Sequence, residues 1–112
     1  MRSAAVGQPL PRADDAFVDN EKWHGYVLAD TGHGDDWRRM FGDVDPATLW
    51  SIVVDVVVSA PVVEVHDLGE FGVSCRVPIS VTMNGRTADV RTVWHYDDAG
   101  SPPRLVTAFP TT

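Results

Sequence analysis

Few side chains in this sequence could do chemistry at neutral pH, and they are unevenly placed. His33 sits in Gly32-His33-Gly34, where the flanking glycines let another backbone come close and leave the imidazole accessible. His95 lies in a run that alternates apolar and polar residues. A free imidazole titrates near pKa ~6.5, which suits general acid–base work. Residues 73–112 hold Arg76, Arg86, Arg91 and Arg104 against Asp89, Asp97 and Asp98, so this stretch is near +1 in a chain of net charge −7. Guanidinium groups capture phosphate and carboxylate in two-point fashion. Asp89 is spaced to pair with Arg91 or Arg86 as a surface ion pair worth ~0–1 kcal/mol. His24 reads as a surface helix residue and His66 as a strand-end residue.

Other chemistries are not written here. No His/Cys/carboxylate spacing of metal type occurs, so no metal is expected. No glycine-rich phosphate loop precedes a helix, and no cofactor is expected. The single cysteine, Cys75, allows no internal disulfide and reads as an inert buried thiol.

The elements that must position these residues follow from period and punctuation. Asp19 is a cap ahead of a helix carrying Trp23, Tyr26 and Val27, with Val18 and Trp23 as a hydrophobic staple. Asp35 or Asp36 caps a short helix with Trp37, Met40 and Phe41, ended by Gly42. Asp45-Pro46 starts a third, to about Ser59, on the stripe Leu49, Ile52, Val53, Val56, Val57. Trp50 falls beside that stripe and is expected on the sheet; Trp23, Trp37 and Trp94 read as core. The period then becomes two. Residues 61–66 form a short strand, and 73–83 and 88–96 alternate on either side of Asn84-Gly85, the preferred two-residue hairpin corner. Asp97 to Pro103 is a loop, and Arg104 to Phe109 a last strand. The expected fold is α+β, with two or three N-terminal helices on one face of a four-stranded antiparallel sheet.

The Asn-Gly corner sets the register. It puts Val81 opposite Ala88, Ile79 opposite Val90, Cys75 opposite Trp94 and Val73 opposite Tyr96. This apolar face must meet the helices, because a one-residue slip would expose all of it. The other face then carries Ser74, Arg76 and Ser80 with Asp89, Arg91 and His95. If the last strand points Leu105, Thr107 and Phe109 inward, Arg104 joins them. The plain alternative is an ordinary solvated sheet face.

Composition bounds the rest. At 112 residues the chain is one domain, read as a flexible arm over 1–12 and a single α+β domain over 13–112. Ala4-Ala5-Val6 is too short for a signal-peptide core, and no apolar run could span a membrane. A cytoplasmic protein is expected, with export on a larger polypeptide as the alternative. The acidic total opposes a general nucleic-acid coat.

Several segments carry a resemblance. Leu10-Pro11-Arg12-Ala13-Asp14, Gly32-His33, Gly85-Arg86-Thr87-Ala88, Val90-Arg91-Thr92-Val93-Trp94 and Pro103-Arg104-Leu105-Val106-Thr107-Ala108-Phe109-Pro110 resemble an uncharacterised bacterial domain family. Its members look like free-standing small proteins or the C-terminal tips of secreted polymorphic toxins. The wider group it is similar to is the barnase–EndoU–colicin–RelE type of small ribonuclease toxin. The resemblance implies a metal-independent endoribonuclease on the exposed sheet face. His33 or His95 would be base or acid and Arg91 and Arg104 would hold phosphate, with Arg76 on the same face. Thr107 or Thr92 would donate a hydroxyl. Gly34-Asp35-Asp36 departs from the basic residue expected after Gly-His, and two carboxylates there would repel phosphate, as in a degenerate copy. The competing expectation is a non-catalytic module using the same arginine face for an anionic ligand, an inhibitor protein or a second copy of itself.

Overall fold

The computed structural model describes residues 4–24, 34–98 and 100–111. The fold is α+β. Helices α1 (Asn20–Lys22), α2 (Gly34–Phe41) and α3 (Pro46–Val57) precede strands β1 (Glu64–Asp67), β2 (Val73–Met83), β3 (Arg86–Tyr96) and β4 (Arg104–Pro110). The four strands form one antiparallel sheet in the order β1-β2-β3-β4. Short 3-10 turns lie at Ala13–Asp15 and Gly69–Phe71. No helix among the described residues is long and apolar enough to cross a membrane.

The start signals act as their chemistry predicts. Asp19 accepts from Glu21 N–H at 2.8 Å, and Asp45 accepts from Thr48 N–H and Oγ1–H at 3.2 and 2.6 Å. The expected continuation of the first helix over 25–28 lies outside the described residues. Helix α2 begins at Gly34, so neither Asp35 nor Asp36 can cap it. Both occupy its first turn, where the helix dipole favours carboxylates, and both pair one turn on, Asp35 with Arg38 at 2.7 Å and Asp36 with Arg39 at 3.9 Å.

The hairpin corner has left-handed Asn84 (φ 54°) and Gly85 (φ 76°), as a type I′ turn requires. Asn84 Nδ2 donates to the carbonyls of Phe41 and Asp43 at 2.9 and 2.6 Å, and Arg86 Nη1 donates to Met40 O at 3.2 Å. The tip thus satisfies carbonyls left open at the end of α2 and ties helix to sheet. This engagement, not an ion pair with Asp89, is where Arg86 is used.

The apolar face is buried as the register demands, from Cys75, Val77, Val81, Val90 and Trp94 to Leu49, Val53 and Val57 of α3. Trp50 bridges the helix layer to the sheet, its ring 5.5 Å from Trp23 and 6.1 Å from Trp94. The N-terminal arm is docked rather than free of contacts. Gly7 N–H donates to Val62 O and Val62 N–H to Gln8 O, Leu10 is 3% exposed, and Tyr96 Oη–H donates to Pro11 O at 2.7 Å.

Strand β4 departs from simple alternation. Trp94 pairs with Leu105 while neighbouring Val93 pairs with Thr107, leaving Val106 as an extra residue. The bulge keeps Leu105 inside but swaps the phase beyond it. Ala108 points into the core opposite Thr92, and Thr107 and Phe109 turn to the outer face opposite Val93 and Arg91. Their expected inward placement is therefore corrected: the small Ala108, not the Phe109 ring, faces the side on which α2 lies.

Candidate functional site

The outer face of the sheet is a grid read off the register. One row runs His66, Ser74, His95, Arg104 from β1 to β4; the next runs Glu64, Arg76, Val93, Thr107; the third is Pro78, Arg91, Phe109. Arg76, Arg91 and His95 thus share one face, as the hairpin arithmetic requires, and Arg104 joins them through its pairing with His95 although Thr107 and Phe109 do not point inward.

Each cation on this face has a local environment. Arg104 Nη2 lies 3.1 Å from Asp97 Oδ1, and His95 Nε2 lies 3.5 Å from the same oxygen. The Arg104 guanidinium, by hydrogen bond and charge, holds the Asp97 carboxyl below its usual range, with His95 adding to the effect. At the opposite edge, Glu64 carries a second such cluster. Its Oε1 is 2.5 Å from His66 Nε2 and its Oε2 is 3.1 Å from Arg76 Nη1. Arg91 differs. It is exposed, its guanidinium lies 5.8 Å from the centre of the Phe109 ring, and among the described residues no carboxylate pairs with it. A cation over an aromatic face is attracted by the ring quadrupole, by about 0.5–1 kcal/mol at exposed sites.

His95 is the least accessible of these groups, its side chain 13% exposed. Gly72 crowds it: a Cβ there would stand 2.9 Å from His95 Nε2 and 2.1 Å from Tyr96 O. With φ +97°, Gly72 occupies backbone that only glycine adopts readily. Arg91 and His95 sit four residues apart on one strand, roughly 13 Å along it. The cation that shares a carboxylate with His95 is Arg104, through Asp97 Oδ1.

Two expected hydroxyl donors are not offered to solvent. Thr92 is fully buried; it donates to Val77 O at 2.5 Å and accepts from Trp94 Nε1–H at 2.8 Å, so it is a core residue. Thr107 does face the outer side, but its Oγ1 is buried and has no hydrogen-bond partner. His33 lies outside the described residues. Cys75 is buried, and burial pushes its thiol up to about 11, which leaves it protonated and unreactive at neutral pH. Among the described residues no group of three or more His, Cys, Asp or Glu is placed to hold a metal.

Glu64, Asp97 and Phe109 belong to this face without having been singled out in the sequence. The first two had a signal. Glu64 precedes His66 by two and Asp97 follows His95 by two, and residues two apart on a strand share a face. Phe109 had none, because its side depends on the bulge.

No curated protein and no solved structure gives a significant match to the chain. Residues 9–112 match a family described as a domain of unknown function, DUF6883, and that span, nearly the whole chain, makes the protein a member of that family.

Proposed function

We propose that the chain is a binding module whose outer sheet face recognises an anionic partner through Arg91. The observation that carries this reading is the unpaired, exposed guanidinium of Arg91, held over Phe109. Arg76 and Arg104 already spend charge on Glu64 and Asp97. Among the described residues Arg91 has no such partner, and a guanidinium resting on a ring keeps its plane while its N–H edge stays open to phosphate or carboxylate. Pro78 and Phe109 on either side make its row flat and partly apolar, which suits a planar or phosphorylated group. The net charge of −7 favours a short anionic feature over a long nucleic-acid tract.

A second reading is a toxin-like, metal-independent ribonuclease, and the cluster His95–Asp97–Arg104 favours it. There Asp97 would orient the imidazole, His95 would exchange the proton of a ribose 2′-OH, and Arg104 would offset charge on the phosphorus. The crowding of His95 and its distance from Arg91 rank this reading second.

One experiment separates them. A fluorescein-labelled single-stranded RNA oligonucleotide and a labelled phosphopeptide are titrated with the protein by anisotropy at low and moderate salt, and total RNA is incubated with the protein in parallel. The binding reading expects a salt-sensitive complex with one probe, weakened about tenfold by Arg91→Ala, since a charge-assisted hydrogen bond contributes ~1.5–3 kcal/mol. It expects intact RNA. Cleavage that disappears in His95→Gln would install the nuclease reading. Absence of any polyanion complex at low salt would leave the face merely solvated.

A further inference from the structure

A well-formed concavity lies away from the outer face. It is a cleft of about 810 Å³ at the end of the sheet opposite the Asn84-Gly85 corner, where the N-terminal arm, the Gly69–Phe71 turn, the end of α3 and the loop after β3 converge. Its volume falls within the range of ordinary ligand sites, roughly 300–1,000 Å³. Leu10, Val58, Val73 and Tyr96 supply apolar lining. Phe71, between lining residues Glu70 and Gly72, is 72% exposed, and Val58 is 40% exposed. Large apolar side chains left in water beside a concavity mark a surface suited to a partner.

The charged lining is mostly acidic. Asp14, Glu70 and Asp98 come from three distant parts of the chain, and among the described residues none of their carboxylates has a hydrogen-bond or ion-pair partner. Asp97 adds a fourth acid, shared with Arg104. The one lining cation, Arg12, is engaged by Asp15 at 3.1 Å and donates to Gly100 O, so it does not neutralise the others. An apolar lining under an unbalanced acidic rim is complementary to a cationic segment with apolar side chains. A second copy of this chain, with net charge −7, would be repelled.

We propose that this cleft docks a short basic peptide segment of a partner protein, with apolar side chains against Val58, Val73 and Phe71 and Lys or Arg at Asp14, Glu70 and Asp98. The proposal does not rest on the Arg91 reading; the cleft meets the outer face only at Asp97 and is opposite in sign to Arg91.

The test uses the full chain and a fluorescein-labelled, end-blocked peptide Lys-Leu-Arg-Leu-Lys, with Glu-Leu-Glu-Leu-Glu as its counterpart. Saturable binding of the basic peptide, weakened by salt, is expected. Glu70→Gln and Asp98→Asn, at exposed and unpartnered side chains, each weaken it about two- to fivefold, the range of exposed ion pairs. Phe71→Ser weakens it as well, whereas Arg91→Ala leaves it unchanged. Equal binding of the acidic peptide, indifference to both carboxylate substitutions, or the absence of saturable binding would overturn the proposal. So would displacement by equimolar spermidine, which would make the cleft a polyamine site.

Discussion

Replacing Gly72 by alanine tests how the fold holds its candidate site. Gly72 has φ +97° and ψ −155°, a region essentially reserved for glycine, and a residue forced there costs roughly 1–3 kcal/mol. The added methyl also meets Tyr96 O at 2.1 Å, where ordinary contact begins at 3.4 Å. Either the turn or the end of β3 must move by more than 1 Å, since 3.4 − 2.1 = 1.3 Å. Overpacking of that kind costs a further ~1–3 kcal/mol. Together, roughly 2–6 kcal/mol would be lost from a domain whose whole stability is of order 5–15 kcal/mol. Thermal unfolding followed by circular dichroism should show a midpoint at least ~10 °C lower. Gly69→Ala is the internal control. Its φ is +65° and no atom lies within 4 Å of its Cβ position, so it should cost only ~1–2 kcal/mol. The same methyl presses on His95 Nε2, so the His95 ring resonances should shift in the Gly72 variant alone. Equal melting of the two variants, with His95 unmoved, would refute the argument from close approach.

Two further expectations concern the core beneath the face. Thr92→Val leaves the buried Trp94 Nε1–H without its acceptor, and an orphaned buried donor costs ~1–3 kcal/mol; urea unfolding should show a lower midpoint at unchanged slope. Alkaline pH should destabilise the fold through Cys75. Its thiol keeps its proton up to about 11 in the native state against a reference of 9.0, so below pH 9 both states are protonated and stability is intact. Between 9 and about 11 the unfolded chain releases a proton that the native state retains, and stability falls as pH rises. Tyr96, whose phenol is also pushed up by burial, adds the same sign at higher pH. Urea midpoints measured from pH 8 to 10 should fall, and Cys75→Ala should remove most of that slope.

Local sequence determined much of this architecture. Asp45-Pro46 and the stripe to Val57 specify α3 because cap chemistry and a 3.6-residue period act within a few residues of each other. The Asn84-Gly85 corner specifies the β2–β3 register for the same reason, and with it the common face of Arg76, Arg91 and His95. Which charges on that face remain available was decided only in three dimensions. Whether Arg104 and Arg76 are neutralised depends on Asp97 and Glu64 reaching them from a loop and a neighbouring strand. Thr107 and Phe109 turned outward because the bulge at Val106 shifts the phase of the last strand, which no alternation pattern contains. The acidic cleft was equally invisible, since Asp14, Glu70 and Asp98 meet around one concavity only when the arm docks beside the end of the sheet. Periodicity reports the side of an element that is buried; it carries no information about which distant side chain will stand beside it.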